Sequence, residues 1–292
     1  MSRRTLGLVS GLLAAAIWGG MYVVSKVVLN VVPPFALITS RLVLGSLALG
    51  LMIAFRGGLH SSRRQFWRVF GVGVIGYGIS LGFQFVGTKL STAANGSLVT
   101  STTPAFVLMF ASIILKERIT ARRIAALAIS TVGVIAVIDP RTARVEPSLF
   151  LGNMALLAAA LTWALYSVLI RLVTRDLQVL TVSLIAFMGG LPISVSAGLW
   201  EASHIGIGPI TPGIVAGILF LGIIATALAM SLWNNSFALL DANLASLTFF
   251  AQPVVGSLLG WLFLRESITP LFLFGGILIA LGLVIASRET GS

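Results

Sequence analysis

Aromatic and hydroxyl side chains recur at helical spacing within the apolar runs of this sequence. In the first run Trp18, Tyr22 and Ser25 are three or four residues apart, which places them on one face of a helix. Trp163 and Tyr166 occupy the equivalent part of a later run. Such a face can bind a small organic solute by stacking and hydrogen bonding; the alternative is an aromatic belt at a membrane interface. We favour a cavity wall, because Trp18 and Tyr22 lie in the middle to outer part of their run.

The third apolar run adds Tyr77 and Gln84, which are seven residues apart and therefore on one side of a helix. Either side chain could line a solute path, although a hydrogen bond between helices would explain Gln84 equally well. The glycines between Gly71 and Gly82 include a match to the dinucleotide-binding spacing. No strand precedes them, so close helix packing is the better interpretation.

Two runs contain a proline that follows small and polar residues. These are Asn95 and Thr100 before Pro104, and Asn243 and Gln252 before Pro253. A proline removes one backbone hydrogen bond and frees a carbonyl, which in lipid must be satisfied by side chains or water. We therefore predict paired bends that act as hinges and line a cavity; the alternative is a kink used only for packing.

Two cations fall inside apolar runs, where a charge near the bilayer centre costs at least ~3 kcal/mol. Lys26 is near the end of its run and can extend to the interface. Arg41 lies about 10 Å inside its run by helical rise. It either hydrogen-bonds helix-end carbonyls or presents its charge to a substrate carboxylate, and we favour the first, structural interpretation.

The sequence lacks the residues that several kinds of chemistry require. The chain has no cysteine, its two histidines lie in polar linkers, and no acidic residue falls well inside a run. Catalytic, metal and cofactor sites are therefore not predicted, and no phosphate-binding loop for ATP is present. Coupling to protons or sodium through a midplane carboxylate is likewise not expected.

The elements that hold these residues must be membrane helices. Hydrophobic residues make up 58% of the 292 residues and charged residues only 9%, with a mean hydropathy of +1.06. A soluble domain carries about 25% charged residues. About 20 apolar residues cross a bilayer, which gives ten predicted spans: 6–29, 33–55, 66–88, 92–115, 120–138, 148–170, 178–200, 211–233, 242–264 and 269–287. Trp67, Trp200 and Trp261 lie near span ends as interfacial anchors.

The basic residues test this count. With the N-terminus in the cytoplasm, thirteen of the nineteen Lys and Arg residues fall inside and four outside, the latter being Lys89, Arg141, Arg144 and Arg265. This bias predicts ten spans with both termini cytoplasmic. The net charge of +11 is thereby explained by membrane orientation, and no nucleic-acid partner is expected.

The two halves of the chain resemble each other. Residues 104–135 align without gaps on residues 253–284 at an offset of 149, and Trp18 and Lys26 align on Trp163 and Arg171 at an offset of 145. We predict repeats over residues 1–140 and 145–290. Five spans per repeat is an odd number, so the second repeat is inverted. Inverted repeats place the substrate between the halves near the midplane, with access alternating by rocking.

The sequence resembles the drug/metabolite transporter superfamily, specifically its EamA-type ten-helix exporters. The resemblance covers essentially the whole chain and rests on short motifs: Trp18-Gly19 to Lys26, Pro34 before Arg41, Pro104 to Leu115-Lys116-Glu117-Arg118-Ile119-Thr120 and Gly133, and Arg265-Glu266-Ser267-Ile268-Thr269. It implies a carrier that exports amino acids, related metabolites or drugs. Glu117 and Glu266, beside Lys116 and Arg265, are interpreted as salt-bridged turns.

We therefore expect an all-helical multi-pass protein of a bacterial inner membrane, monomeric or homodimeric. It would export small metabolites, with aromatic or neutral amino acids foremost, by facilitated diffusion or exchange. One alternative is a sugar-phosphate or nucleotide-sugar antiporter, which would need several cations at the midplane. Another is a membrane-embedded enzyme, which the lack of catalytic groups within the spans disfavours.

Overall fold

In the residues that a computed structural model describes, 2–55, 57–91, 93–138, 147–264 and 270–288, the chain forms ten helices. In chain order these are α1 (Arg3–Leu29), α2 (Pro34–Ala54), α3 (Arg63–Leu90), α4 (Ala93–Thr100 and Thr103–Ile114), α5 (Ala121–Ile138), α6 (Phe150–Val173), α7 (Val179–His204), α8 (Pro212–Leu239), α9 (Ala242–Leu247 and Ala251–Leu264) and α10 (Pro270–Ser287). Seven of them, all except α4, α5 and α9, are unbroken and both long and apolar enough to cross a membrane. Arg56, Arg141, Arg144, Arg265 and Glu266 lie outside the described residues.

Local sequence sets where several helices begin. Ser62 accepts from the backbone N–H of Gln65, whose side chain accepts from Ser62 N–H, so a capping box starts α3. The side chain of Thr211 caps the N-terminus of α8, and Pro212 is the first residue of that helix. The N-terminus of α2 is capped from another helix, because the buried Glu201 of α7 accepts from the N–H groups of Phe35 (2.7 Å) and Ala36 (3.2 Å).

Two five-helix repeats of inverted topology organise these helices. The third helix of each repeat contains a π-helical segment, Val74–Ser80 in α3 and Phe220–Leu228 in α8. The fourth helix of each repeat is interrupted, at residues 101–102 in α4 and at the 3₁₀ turn Thr248–Phe250 in α9. Each interruption lies just before a proline singled out in the sequence. Pro104 cannot donate to the carbonyl of Thr100, and the hydroxyl of Thr103 takes its place at 2.7 Å.

Glycines let the helices approach closely where lipid gives no hydrophobic drive for association. Where α3 crosses α7, a Cβ atom on Gly73 would overlap the backbone of Ala186, and one on Gly189 would overlap the carbonyl of Phe70. α5 packs along α10 in the same way, since a Cβ on Gly133 would lie 2.7 Å from the carbonyl oxygen of Gly275. The first crossing holds α3, which lines the central cavity, and the second joins the last helices of the two halves.

The eighth helix runs to Leu239, past the predicted end of its span at residue 233. The prediction ended there because Asn234, Asn235 and Ser236 are polar. In the fold Asn234 and Ser236 are fully buried inside α8. Asn234 bonds Tyr166 and Ser183, and Asn235 bonds Ser10, so these amides mark contacts between helices and not a loop in water.

Candidate functional site

A small central cavity lies where the two repeats meet. It is enclosed by α1, α3, α4, α6, α8 and α9 and has a volume of about 30 Å³, room for about two or three water molecules. Thirteen residues line it: Trp18, Met21, Ser80, Leu81, Gln84, Thr100, Thr103, Ala159, Ala160, Trp163, Met230, Phe249 and Gln252.

The lining follows the symmetry of the repeats. Eight of the lining residues form four pairs at the offsets that align the halves, 145 for the first pair and 149 for the others. The pairs are Trp18 with Trp163, Leu81 with Met230, Thr100 with Phe249, and Thr103 with Gln252. The cavity is therefore lined by corresponding positions of the two halves, and inverted-repeat carriers bind substrate between their repeats.

Trp18, Trp163 and Phe249 form an aromatic wall of the cavity, and Trp233 packs against this wall without lining the cavity. The ring of Trp18 meets that of Trp163 edge to face at 5.8 Å and lies 5.4 Å from Trp233 and 6.1 Å from Phe249. The indole of Trp18 donates to the carbonyl of Ala225, in the π segment of α8, at 3.0 Å. A π segment leaves carbonyls out of the regular helix pattern, and this bond uses one of them to orient Trp18.

Hydrogen bonds among Tyr22, Gln84 and Thr100 build the opposite, polar side. The Thr100 hydroxyl donates to the carbonyl of Gly96 at 2.6 Å, so it accepts from the Tyr22 hydroxyl at 3.1 Å. The Tyr22 oxygen in turn accepts from the Gln84 amide at 3.1 Å. The chain of donors fixes both side chains beside the cavity, although Tyr22 itself is not among the lining residues.

Tyr77 and Tyr166 lie behind Trp163, away from the cavity surface. The Tyr166 hydroxyl donates to the side-chain oxygen of Asn234 at 2.8 Å, so it accepts from Tyr77 at 2.6 Å. The amide of Asn234 then donates to Ser183 at 3.0 Å. Tyr166 also stacks on Trp163, with ring centroids 4.8 Å apart. This fully buried chain crosses from one repeat to the other and supports the aromatic wall from the rear.

At the membrane face opposite the N-terminus, Lys26 joins the end of α1 to the end of α3. Its ammonium donates to the carbonyls of Thr88 and Ser91, both at 3.1 Å. Asn95, at the start of α4, donates to Asn153 of α6 at 3.1 Å. Lys26 is thus hydrogen-bonded to helix-end carbonyls, and these contacts tie α1, α3, α4 and α6 together on this side of the cavity.

At the N-terminal face, Arg171 makes the corresponding contact. Arg171, which aligns with Lys26, donates to the carbonyl of Phe237 at the end of α8 at 3.1 Å. It also pairs with Glu117 at 3.6 Å and Asp241 at 3.4 Å, and Arg123 pairs with the same two acids at 3.4 and 3.6 Å. This four-residue set, the N-face cluster, joins both repeats.

Glu117 is the centre of the N-face cluster. The chain reaches it through Lys116, whose φ of 57° is in the left-handed region and turns the chain at the end of α4. Its carboxylate accepts from Ala242 N–H at 2.9 Å and from the Asn243 side chain at 2.7 Å, capping α9. The ion pairs are to Arg123 and Arg171, so the predicted pairing of Glu117 with its neighbour Lys116 is corrected. Asn243 consequently lies at the face, not at the central cavity.

We predict that Glu117→Gln weakens closure of the N-terminal face. The amide cannot neutralise Arg123 and Arg171, so the midpoint of thermal unfolding should fall by a few degrees, equivalent to about 1–3 kcal/mol. Tryptophan fluorescence in detergent measures it. Asp176→Asn, which changes an exposed acid on the same face, is the control. Equal midpoints for the two variants would contradict a structural role for the N-face cluster.

The other residues predicted from the sequence lie at the following positions. Arg41 is fully buried next to Met21, Ser25 is buried on α1, and Pro104 and Pro253 follow the breaks in α4 and α9. Ser80, Trp233 and Asn234 were not singled out from the sequence. Two features of the sequence could have indicated the first two residues. Ser80 lies between Tyr77 and Gln84 on α3, and Trp233 aligns with Gln84 at the offset of 149.

Ten membrane helices in two inverted repeats around one central cavity define a secondary-transporter architecture. The chain belongs to the EamA-like transporter family, whose profile matches residues 5–138 and 150–288. It is therefore a membrane transporter.

Curated relatives and a solved structure cover nearly the whole chain. The uncharacterized transporter YoaV of Bacillus subtilis is 25% identical over 291 residues, 97% of this chain and 96% of its own. A probable amino-acid metabolite efflux pump of Salmonella typhimurium is 26% identical over 287 residues, 94% of this chain and 92% of its own. A crystal structure with 22% identity superposes with a TM-score of 0.80 over 97% of this chain and 96% of that one, which shows the shared fold.

Proposed function

We propose that this transporter exports small metabolites, foremost aromatic or other neutral amino acids, and accepts drugs of similar size. The observation that carries this proposal is the central cavity, lined by corresponding positions of the two halves. Trp18 and Trp163 offer stacking surfaces there, while Gln84, Thr100 and Gln252 offer hydrogen bonds. The relative in Salmonella typhimurium, a probable amino-acid metabolite efflux pump, supports amino acids as the substrate class.

Transport is proposed to run by alternating access. A cavity of about 30 Å³ cannot hold an amino acid, so substrate entry needs the repeats 1–140 and 145–290 to move apart on one side. The breaks near Pro104 and Pro253 are the proposed hinges. The bond of Asn95 to Asn153 on one face and the N-face cluster on the other join the two repeats, and they are proposed to close the two entrances in turn.

The proposed energetics are facilitated diffusion or exchange. The described carboxylates lie at the two faces, Glu117, Asp176 and Asp241 on one and Glu201 on the other, and none lines the cavity. Carriers coupled to protons or sodium commonly place a carboxylate near the midplane. The gradient of the solute itself would therefore supply the driving force.

We place the protein in a bacterial inner membrane, as monomer or homodimer, with both termini in the cytoplasm. Because the chain has no cysteine, single introduced cysteines report on one position each. A membrane-impermeant thiol reagent applied to intact cells should label the His204→Cys variant and not the His60→Cys variant. The reverse labelling would invert the proposed orientation.

Counterflow in proteoliposomes tests the function. Vesicles containing the purified protein are loaded with one unlabelled amino acid, drug or sugar phosphate, and the labelled compound is added outside without any ion gradient. We expect uptake for a subset of amino acids. Uptake of sugar phosphates alone would replace the proposed substrate class, and uptake only under a proton gradient would overturn the proposed energetics.

A further inference from the structure

Arg41 is a buried cation without a counter-ion in the part of the chain that the structure describes. Its side chain is 0% exposed, in the membrane interior about a third of the way along α2. Nε donates to Thr226 at 3.0 Å and Nη2 contacts the sulfur of Met21 at 3.5 Å. Nη1 has no hydrogen-bond partner, and the nearest ring is Phe85, 4.8 Å from the guanidinium carbon.

Such an arrangement is unfavourable unless the charge has a use. An isolated cation in the membrane costs several kcal/mol, and one unpaired donor adds to that cost. Helix-end carbonyls could have satisfied the guanidinium, as they satisfy Lys26, but a single hydroxyl and a thioether are its partners here. The side chain is therefore held in place with donor capacity unused.

Met21 alone of the partners of Arg41 also lines the central cavity. Met21 thus contacts both the cavity and the guanidinium, whereas Arg41 itself is not part of the lining. Methionine has three rotatable bonds and adopts alternative rotamers at little cost. A change of rotamer at Met21 would bring Arg41 into contact with a molecule in the cavity.

A complementary group lies on the cavity wall. The side-chain oxygen of Gln252 is buried without a hydrogen-bond partner. The cavity region thus combines unused donors on Arg41 with an unused acceptor on Gln252. A carboxylate needs the first and an ammonium group the second.

We infer that Arg41 is the carboxylate-binding residue of the substrate site and that Met21 screens it until substrate enters. This inference rests on the proposed function and narrows its substrate class to α-amino acids with a free carboxylate. The ammonium group of the substrate then faces Gln252. Charge-assisted hydrogen bonds from the guanidinium to the carboxylate favour the acid over its decarboxylated amine by about 10- to 100-fold.

Competition in the counterflow assay tests the role of Arg41. Unlabelled amino acid and the matching amine, L-tryptophan and tryptamine for example, compete against the labelled amino acid that gives the fastest counterflow. In the unmodified protein the acid should compete at about 10- to 100-fold lower concentration than the amine. In Arg41→Met, which keeps the length of the side chain, this ratio should fall to about one. Lys26→Met removes a cation whose bonds are to carbonyls, and the ratio should persist.

Variants that do not transport are tested by ligand-induced rise of the unfolding midpoint in detergent, with the same two compounds. For Arg41→Lys, which keeps the charge, the preference should be reduced and retain its sign. Equal weakening of acid and amine by Arg41→Met would show a structural role and overturn the inference while transport stands. Absence of counterflow by the unmodified protein for every amino acid would overturn the proposed function and this inference together.

Discussion

Trp163→Ala should reduce amino-acid counterflow by about 30-fold or more. Trp163 lines the cavity, stacks on Tyr166 and meets Trp18 edge to face. A buried tryptophan at a binding site contributes about 2 kcal/mol or more, and each 1.4 kcal/mol is a factor of ten. Removing the indole also leaves a void into which Tyr166 and Trp18 can move, which disorders the wall that the substrate contacts.

Trp200→Ala is the matched control for this experiment. Trp200 is 58% exposed near the end of α7, and its ring stacks on His204 away from the cavity. Its removal should leave the counterflow rate within about twofold, because exposed positions contribute little to packing. Similar rates for Trp163→Ala and Trp200→Ala, in protein of equal monodispersity, would show that the central cavity is not the substrate site.

Gly73→Ala should destabilise the fold by about 2–3 kcal/mol. At the crossing of α3 with α7 the added methyl group would overlap three backbone atoms of Ala186: the carbonyl oxygen, the Cα atom and the carbonyl carbon. Backbone atoms cannot rotate away as a flexible side chain can, so the helices must separate, and overpacking of this kind typically costs 1–3 kcal/mol. The midpoint of thermal unfolding, followed by tryptophan fluorescence, should fall accordingly.

Gly71→Ala distinguishes packing from helix propensity. Gly71 lies two residues earlier on α3, and a Cβ there meets nothing within 4 Å. Alanine is the better helix former by about 1 kcal/mol, so this variant should unfold at the same temperature or slightly higher. Loss of stability in both variants would mean that backbone freedom, not the α3–α7 contact, requires glycine.

Most of the fold follows from hydropathy, and the failures have physical causes. Long apolar runs bounded by charges predict the ends of most of the ten helices to within a few residues. A backbone segment that crosses lipid must satisfy its own hydrogen bonds, which an α-helix does. The end of α8 was placed too early, because a hydropathy pattern treats Asn234 as a residue in water. The π segments in α3 and α8 have no pattern of their own, since one extra residue in a turn does not alter apolar character.

The site was partly accessible from sequence for a related reason. Residue type and helical phase indicate Trp18, Gln84, Thr100, Trp163 and Gln252, and these five line the cavity. The position of Tyr166 along its helix does not show that its ring lies behind Trp163. That placement depends on the hydrogen bond to Asn234, which is on another helix, α8. The bond of Glu117 to α9 likewise joins residues 125 positions apart, and no local pattern encodes it.

The four residue pairs around the cavity correspond in position but are not identical, since Thr100 corresponds to Phe249 and Thr103 to the longer Gln252. The cavity therefore presents different side chains towards its two sides, so the Michaelis constants of the two directions should differ. Detailed balance nevertheless constrains them: with no ion moving alongside a neutral solute, kcat/KM must be the same in both directions. The asymmetry can set the solute concentration at which transport from each side saturates, but it cannot make net transport run in one direction only. Under the proposed energetics, export would then be a property of the cell that makes the solute rather than of the transporter.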